Sequence, residues 1–245
     1  MSTTTSVTID VIRQHKSIRK FTEQALSPEQ RQAIMASAQA APSSSFLQAS
    51  AVIRISDPAL REQVMALCGN QAYVGSAAEF WVFCADFHRH LQWVPDAKTG
   101  FAEQLLIGAI DTALMGQNAL TAAESLGLGG VYIGAVRNQP HELCDLLRLP
   151  KGVIPLFGLC LGYPAQDPEL KPRLPASLMF CENHYPAQFD AEQMQDYDQQ
   201  VRHYYHTRTG GNKDMSWTGQ IGETLAKEAR PFMLDFLQQQ GFCIR

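Results

Sequence analysis

The stretch His15-Lys16-Ser17-Ile18-Arg19-Lys20-Phe21 sets four basic or titratable side chains and a hydroxyl close together. Arginine offers a planar fork of donors and lysine a compact point charge, so such a cluster can hold a phosphate. The competing reading is a solvated charged turn. A second cationic spot, Lys171-Pro172-Arg173, lies among Pro164, Pro168 and Pro175. Proline reduces the entropy lost when such a loop is ordered on an anion, and if the two spots converge they would bracket a dianionic phosphate. The run Ser43-Ser44-Ser45-Phe46 is either an ordinary loop or a polar wall whose ring covers one side of a flat ligand. No Ser-His-Asp set, paired carboxylates or phosphate-cradling glycine loop that would carry catalysis is recognisable.

Four near-continuous apolar segments must position these residues: Ala51 to Ser56, Phe80 to Ala85, Gly130 to Ile133 and Ile154 to Leu161. Each reads as a strand, and their lack of alternation predicts a sheet covered on both faces. Ser27-Pro28-Glu29-Gln30 reads as a helix start, with a capping hydroxyl and proline at the first position, for a helix running to about Ala41. The charge-poor segment Glu103 to Leu126 predicts a central, buried helix. Val7, Ile9, Val11 and Ile12 predict a buried side for a short helix ahead of the basic cluster. Gly127-Leu128-Gly129-Gly130 follows a helix and precedes a strand, the reverse of a dinucleotide fingerprint. Gly127 therefore reads as a helix cap. The other glycines here, with Gly134-Ala135, either admit close approach of a ligand or serve packing alone. Beyond Tyr185 the chain turns polar and Gln-rich, and its amphipathic end, Pro231 to Gln240, is expected to wrap around a partner subunit.

At 245 residues the chain is expected to form a single domain, 1–245, of which about 186–245 is the polar C-terminal extension. A net charge of -4 argues against a general nucleic-acid or anionic-membrane binder, so the basic cluster is a local device for a small anion. Met1 to Thr5 lacks a basic start with an apolar run, and no stretch reaches the roughly 18 apolar residues that span a bilayer, so a cytoplasmic protein is expected. The six cysteines are scattered without a CxxC pair, and Cys84 and Cys160 read as small core residues. His203 and His206 read as a surface pair rather than a metal site.

With these residues in place the chain resembles the flavin-dependent nitroreductase superfamily, specifically the oxygen-insensitive, NADPH-preferring A-type nitroreductases and related NADPH-flavin oxidoreductases. The resemblance runs essentially end to end. It is carried by His15 to Arg19, Ser43-Ser44-Ser45-Phe46-Leu47-Gln48, Ala78 to Phe83, Glu124 to Gly134, and Leu170-Lys171-Pro172-Arg173-Leu174-Pro175. It implies an α+β fold, a mixed sheet flanked by helices with an extended C-terminal excursion, in an interlocked homodimer with one FMN in each of two interface sites. FMN would be held non-covalently by His15, Lys16, Ser17, Ile18 and Arg19, by Lys171 and Arg173, by Ser43 and Gln71, and by Tyr132, Ile133, Gly134 and Ala135. Arg208 and Lys213, flanking Gly210-Gly211, would bind the NADPH 2′-phosphate, and Ser45, Phe46 and Arg230 would line the open substrate side. Lys16 stands where the family usually has Arg, Ala135 where Gly is common, and Lys213 where Arg is usual. The implied activity is ping-pong: NADPH reduces FMN and leaves, then a nitroaromatic or quinone takes both electrons, with no catalytic side chain of its own required. The alternatives are an NADPH-flavin reductase releasing free reduced flavin, a non-catalytic flavin-binding protein, and a phosphate-ligand module without flavin.

Overall fold

The structure is a computed structural model that describes residues 5–244. Most of the Met1 to Thr5 stretch thus lies outside the described residues. The chain forms two compact units, one made of the residues up to Pro168 together with those from Arg230 onward, the other spanning Glu169–Ala229.

In the first unit, in chain order, come α1 (Val7–Arg13), α2 (Pro28–Gln39), β1 (Ser50–Arg54), α3 (Pro58–Leu67), α4 (Ala72–Ser76), β2 (Glu79–Asp86), α5 (His88–Trp93), α6 (Ala102–Ser125), β3 (Gly129–Ile133), α7 (Pro140–Leu147) and β4 (Val153–Gly162). The four strands pair antiparallel in the order β1-β2-β4-β3. Parallel pairing among the described residues is confined to an isolated bridge between Ser17 and Gly130, so the mixed character expected of the sheet rests on that bridge alone. Every residue of β2 is buried, which is why its sequence does not alternate. One core cluster, around Phe80, Val82 and Ile133, is closed by α3, α4 and α7. A second, around Phe83, Leu120 and Leu159, is closed by α2 and α6. Fully burying side chains such as Phe80 and Phe83 contributes about 1.5–3 kcal/mol each.

Local signals set the helix ends. Ser27 Oγ accepts from Gln30 N at 3.2 Å while Gln30 Oε1 accepts from Ser27 N at 3.0 Å, the reciprocal cap expected for α2. Gly127, at φ 77, ends α6 in the left-handed region, and Leu128 N turns back to the Ala123 carbonyl at 3.0 Å. At Gly130 a Cβ would fall 2.8 Å from the Cys160 carbonyl and from Leu120, so β3 and α6 approach through a position that only glycine fills.

Two expectations need correction. Helix α6 is buried along Gly108, Thr112, Gly116, Leu120 and Ala123, but Leu106, Ile110 and Leu114 are 55%, 57% and 41% exposed, a stripe at i, i+4, i+8. Helix α1 buries none of its residues, and Val7 and Ile12 stand open to solvent. In both cases periodicity marks an apolar face without saying whether this chain covers it.

The second unit contains α8 (Ala191–Arg208) and α9 (Trp217–Leu225), with Tyr197, Val201, Tyr204 and Tyr205 forming its small core against Leu174, Met215 and Trp217. The last helix, α10 (Met233–Gln239), belongs to the first unit. Phe236 and Phe242 are buried against Phe87, Ala49 and Ile154. Gly152 N donates to the Gln240 carbonyl at 2.8 Å, and Ile244 N to that of Gly100 at 2.9 Å. The amphipathic end therefore finds its packing on its own chain. Among the described residues no helix is long and apolar enough to cross a membrane.

Candidate active site

The basic cluster lies across the start of β3. Ser17 bridges Gly130, and Ile18 N donates to the Gly130 carbonyl at 3.0 Å. Ile18 is buried and fills the space beside Gly129. Farther along, Thr22 N donates to the Tyr163 carbonyl at 2.9 Å, and Ala165 N to the Lys20 carbonyl at 2.9 Å. One apolar anchor and four backbone contacts thus fix a segment whose polar side chains face outward.

Those side chains differ in what they already hold. His15 Nδ1 meets Glu124 Oε1 at 2.6 Å, and Lys16 Nζ meets Asp167 Oδ1 at 2.6 Å. Arg19 is exposed and forms no ion pair among the described residues. Asp167 is 89% exposed, so its pair with Lys16 contributes at most about 1 kcal/mol and yields readily to a phosphate. Glu124 is far less exposed, and it orients His15 from the end of α6. Beside this cluster α1, Leu128 and the 164–167 segment enclose a cleft of about 940 Å³ into which Val7, Val11, Lys16 and Asp167 project.

Beyond the other end of β3, Gly134 to Arg137 form a single 3-10 turn. The opening amides of such a turn, Gly134 and Ala135, have no acceptor within it. Around Gly134 the first atom a Cβ would meet is Arg137 Nη2, at 3.5 Å, so nothing crowds the backbone there. Gly130 and Gly134 are about 13 Å apart at ~3.3 Å per strand residue. The strand therefore carries a cationic cluster at one end and open amides at the other. A flat ring with a polar edge and a phosphate on an extended chain fits that arrangement.

Tyr132, between them, packs edge-on against Phe157 at 5.3 Å and remains 37% exposed. Gln71 caps α4; its Nε2 donates to the Cys68 carbonyl at 3.1 Å and its Oε1 accepts from the Tyr73 hydroxyl. Ser43 lines a separate cleft of about 350 Å³ with Gln48, Arg89 and Asp111. Its hydroxyl accepts from Gln48 N at 3.3 Å, and the buried Asp111 carboxylate accepts from Ser44 N at 3.0 Å. Between these anchors Ser45, Phe46 and Gln48 all adopt positive φ, a strained turn that holds the Phe46 ring 81% exposed. His90 Nε2 contacts the Leu47 carbonyl at 2.6 Å and braces the turn from α5. Arg230 Nη2 donates to Asn138 Oδ1 at 2.8 Å and to the Gly134 carbonyl at 3.4 Å, which sets it beside the open amides.

Within the second unit, Lys171 and Lys213 both lie over the Tyr205 ring, at 5.4 and 4.6 Å. Arg208 lies over Tyr204 at 5.9 Å and donates to its hydroxyl at 3.1 Å. Arg173 Nη1 donates to the Lys171 carbonyl at 2.9 Å. Three of the four cations assigned to two ligands thus rest on the adjacent Tyr204 and Tyr205 rings. Sequence reasoning missed Tyr204, Tyr205, Glu124, Asp111 and Asn138. Asp111 carried a signal, as a lone acid in an otherwise uncharged run of α6, and the adjacent tyrosines stood four and three residues before Arg208.

A chain with this strand and these cations has the form of a cofactor-dependent oxidoreductase. It belongs to the nitroreductase family: the family model matches residues 12–163, and the model of the nitroreductase family C-terminal domain matches residues 171–245. The chain is 56% identical over 240 residues to the oxygen-insensitive NADPH nitroreductase of Salmonella typhimurium, covering 98% of this chain and all of that one. It superposes on nitroreductase A from Vibrio parahaemolyticus with a TM-score of 0.93 at 44% identity, covering 99% of this chain and 100% of the other. It also superposes on the NADPH:FMN oxidoreductase of Vibrio harveyi, solved with NAD+, at 0.92 and 45% identity, covering 98% and 100%.

Proposed function

We propose that this protein is an FMN-dependent NADPH oxidoreductase that reduces nitroaromatic compounds and quinones by two electrons, as a cytoplasmic homodimer. The observation that carries the reading is that the basic segment docks at Gly130 near one end of β3 while the amides of Gly134 and Ala135 open the turn that directly follows its other end. Bound FMN supplies the hydride chemistry. Arg19, with Lys16 and His15, holds the phosphate, and Ser17 and Ile18 keep that cluster in register with Gly130. The amides of Ile133, Gly134 and Ala135 and the side chains of Ser43 and Gln71 fix the ring and its ribityl chain. Donors beside the ring's polar edge favour the charge that accumulates there on reduction. Lys171 and Arg173 add charge for the phosphate, Arg208 and Lys213 recognise the 2′-phosphate of NADPH, and Ser45, Phe46 and Arg230 bound the acceptor side. The partner subunit covers the Leu106-Ile110-Leu114 stripe.

The relatives' names favour one further reading, an NADPH-flavin reductase whose product is free reduced flavin. The test begins with purified protein, which should be yellow and be bleached by NADPH. Turnover of a nitrofuran in air should then proceed without stoichiometric superoxide, because two-electron delivery bypasses the nitro radical that oxygen recycles. A colourless protein sinks the cofactor assignment, superoxide sinks the two-electron reading, and a far higher kcat/KM for free FMN than for any nitro compound or quinone favours the flavin reductase.

A further inference from the structure

Arg230 opens the final segment of the first unit with its backbone in the left-handed region, at φ 59. Its guanidinium donates twice to one atom, Asn138 Oδ1, from Nε at 3.2 Å and from Nη2 at 2.8 Å. A guanidinium presenting two donors in this way is matched best by a carboxylate, which would also cancel its charge. Here the partner is an amide. It fixes the direction of the group and leaves its charge whole.

Arg137 stands next to it. Burial and then the charge of Arg230 push the Arg137 guanidinium below its usual basicity, and its Nη1 donates to the Leu156 carbonyl. Among the described residues neither arginine forms an ion pair. Two like charges are held together without a counter-ion, an arrangement that an anion would relieve. Asn138 is well placed to arrange this. Its Nδ2 lies 3.8 Å from where a Cβ on Gly69 would stand, so it abuts the turn leading into Gln71 while its Oδ1 holds Arg230.

We propose that Asn138 is a specificity-determining positioning residue, which presents Arg230 uncancelled to the acceptor and so favours acceptors bearing an anionic group beside their reducible centre. The inference rests on the reading of Arg230 as a residue of the acceptor side. An aspartate here would keep both hydrogen bonds and sharply weaken the preference.

The test is calorimetric titration of the oxidised, FMN-loaded dimer, without NADPH, with 4-nitrobenzoate and with its neutral analogue 4-nitrobenzamide. The readout is the ratio of their dissociation constants, which a merely structural role would not move. The unaltered protein should bind the anion more tightly. Asn138→Asp should cut that preference about ten-fold, whereas Asn138→Leu, which loosens the guanidinium but keeps its charge, should cut it only about three-fold. Arg230→Ala should remove it. If Arg230→Ala removes the preference and Asn138→Asp does not, the inference falls while Arg230 stays on the acceptor side. If Arg230→Ala leaves the ratio unchanged, the acceptor-side reading falls and the inference with it. An unaltered protein without a preference for the anion likewise overturns the inference.

Discussion

Tyr205 holds, on one ring, two cations with different assignments: Lys171 for FMN and Lys213 for NADPH. A cation over an aromatic face contributes about 0.5–1 kcal/mol at an exposed site and, more usefully, limits where the ammonium can go. Arg208 is held in the same manner by Tyr204, and both rings are themselves buried. Alanine at Arg208 or Lys213 should remove one charge-assisted contact of roughly 1.5–3 kcal/mol and cut kcat/KM for NADPH about 10- to 100-fold. The low end is expected, since both side chains are exposed and added salt screens them. NADH efficiency should change little, and an equal fall for both nucleotides would place the 2′-phosphate elsewhere. Tyr205→Leu separates the shared base from the single charges: it should weaken FMN retention and NADPH efficiency together, whereas Lys213→Ala should spare the flavin. Fluorimetric FMN dissociation constants on both variants decide the matter.

At the scale of elements, the exposed stripe of Leu106, Ile110 and Leu114 on α6 is where the proposed homodimer can be tested. Three side chains of this size in one row are worth several kcal/mol once covered. Ile110→Asp should therefore shift the protein toward monomer and loosen its flavin, as read by light scattering and by the visible spectrum of the eluted species. A dimer of unaltered stability would move the interface off this helix. The same helix marks how far the sequence was legible. The four strands lie where unbroken apolar runs placed them, within two residues at each end, most plainly at β2, where burial on both sheet faces removes alternation. The cap at Ser27 and the stop at Gly127 were equally plain, being local chemistry. Exposure of α6 was not, since an apolar face reads alike whether its own core or another subunit covers it. Of the site, the residue types were legible and their partners were not. His15 finds Glu124, Lys16 finds Asp167 and Arg230 finds Asn138, all far along the chain, and no local pattern announces such meetings.

At the scale of the molecule, the core is lined by reduced thiols. Burial pushes the Cys68 and Cys160 thiols up to about 12 and that of Cys144 up to about 11, well above an ordinary value of about 8.5. The folded chain keeps these protons where the unfolded chain releases them. Their contribution to stability is thus fully present below about pH 8.5 and is lost as pH rises toward 11 to 12. Urea midpoints measured from pH 7 to 11 should decline above pH 9, less steeply in Cys144→Ala than in the unaltered protein. A flat profile would show that these thiols do not report on folding. The return of the chain to its first unit after residue 229 bears on synthesis as well. Phe236 and Phe242 fill the space against Phe87 and Ile154, and Gln240 bonds Gly152, so this part of the core stays open until residues 236–242 have been made. A nascent chain carries that gap through the whole translation of residues 169–229. A chain lacking residues 236–242 should therefore carry an unsealed core and be cut by proteases faster than the unaltered protein.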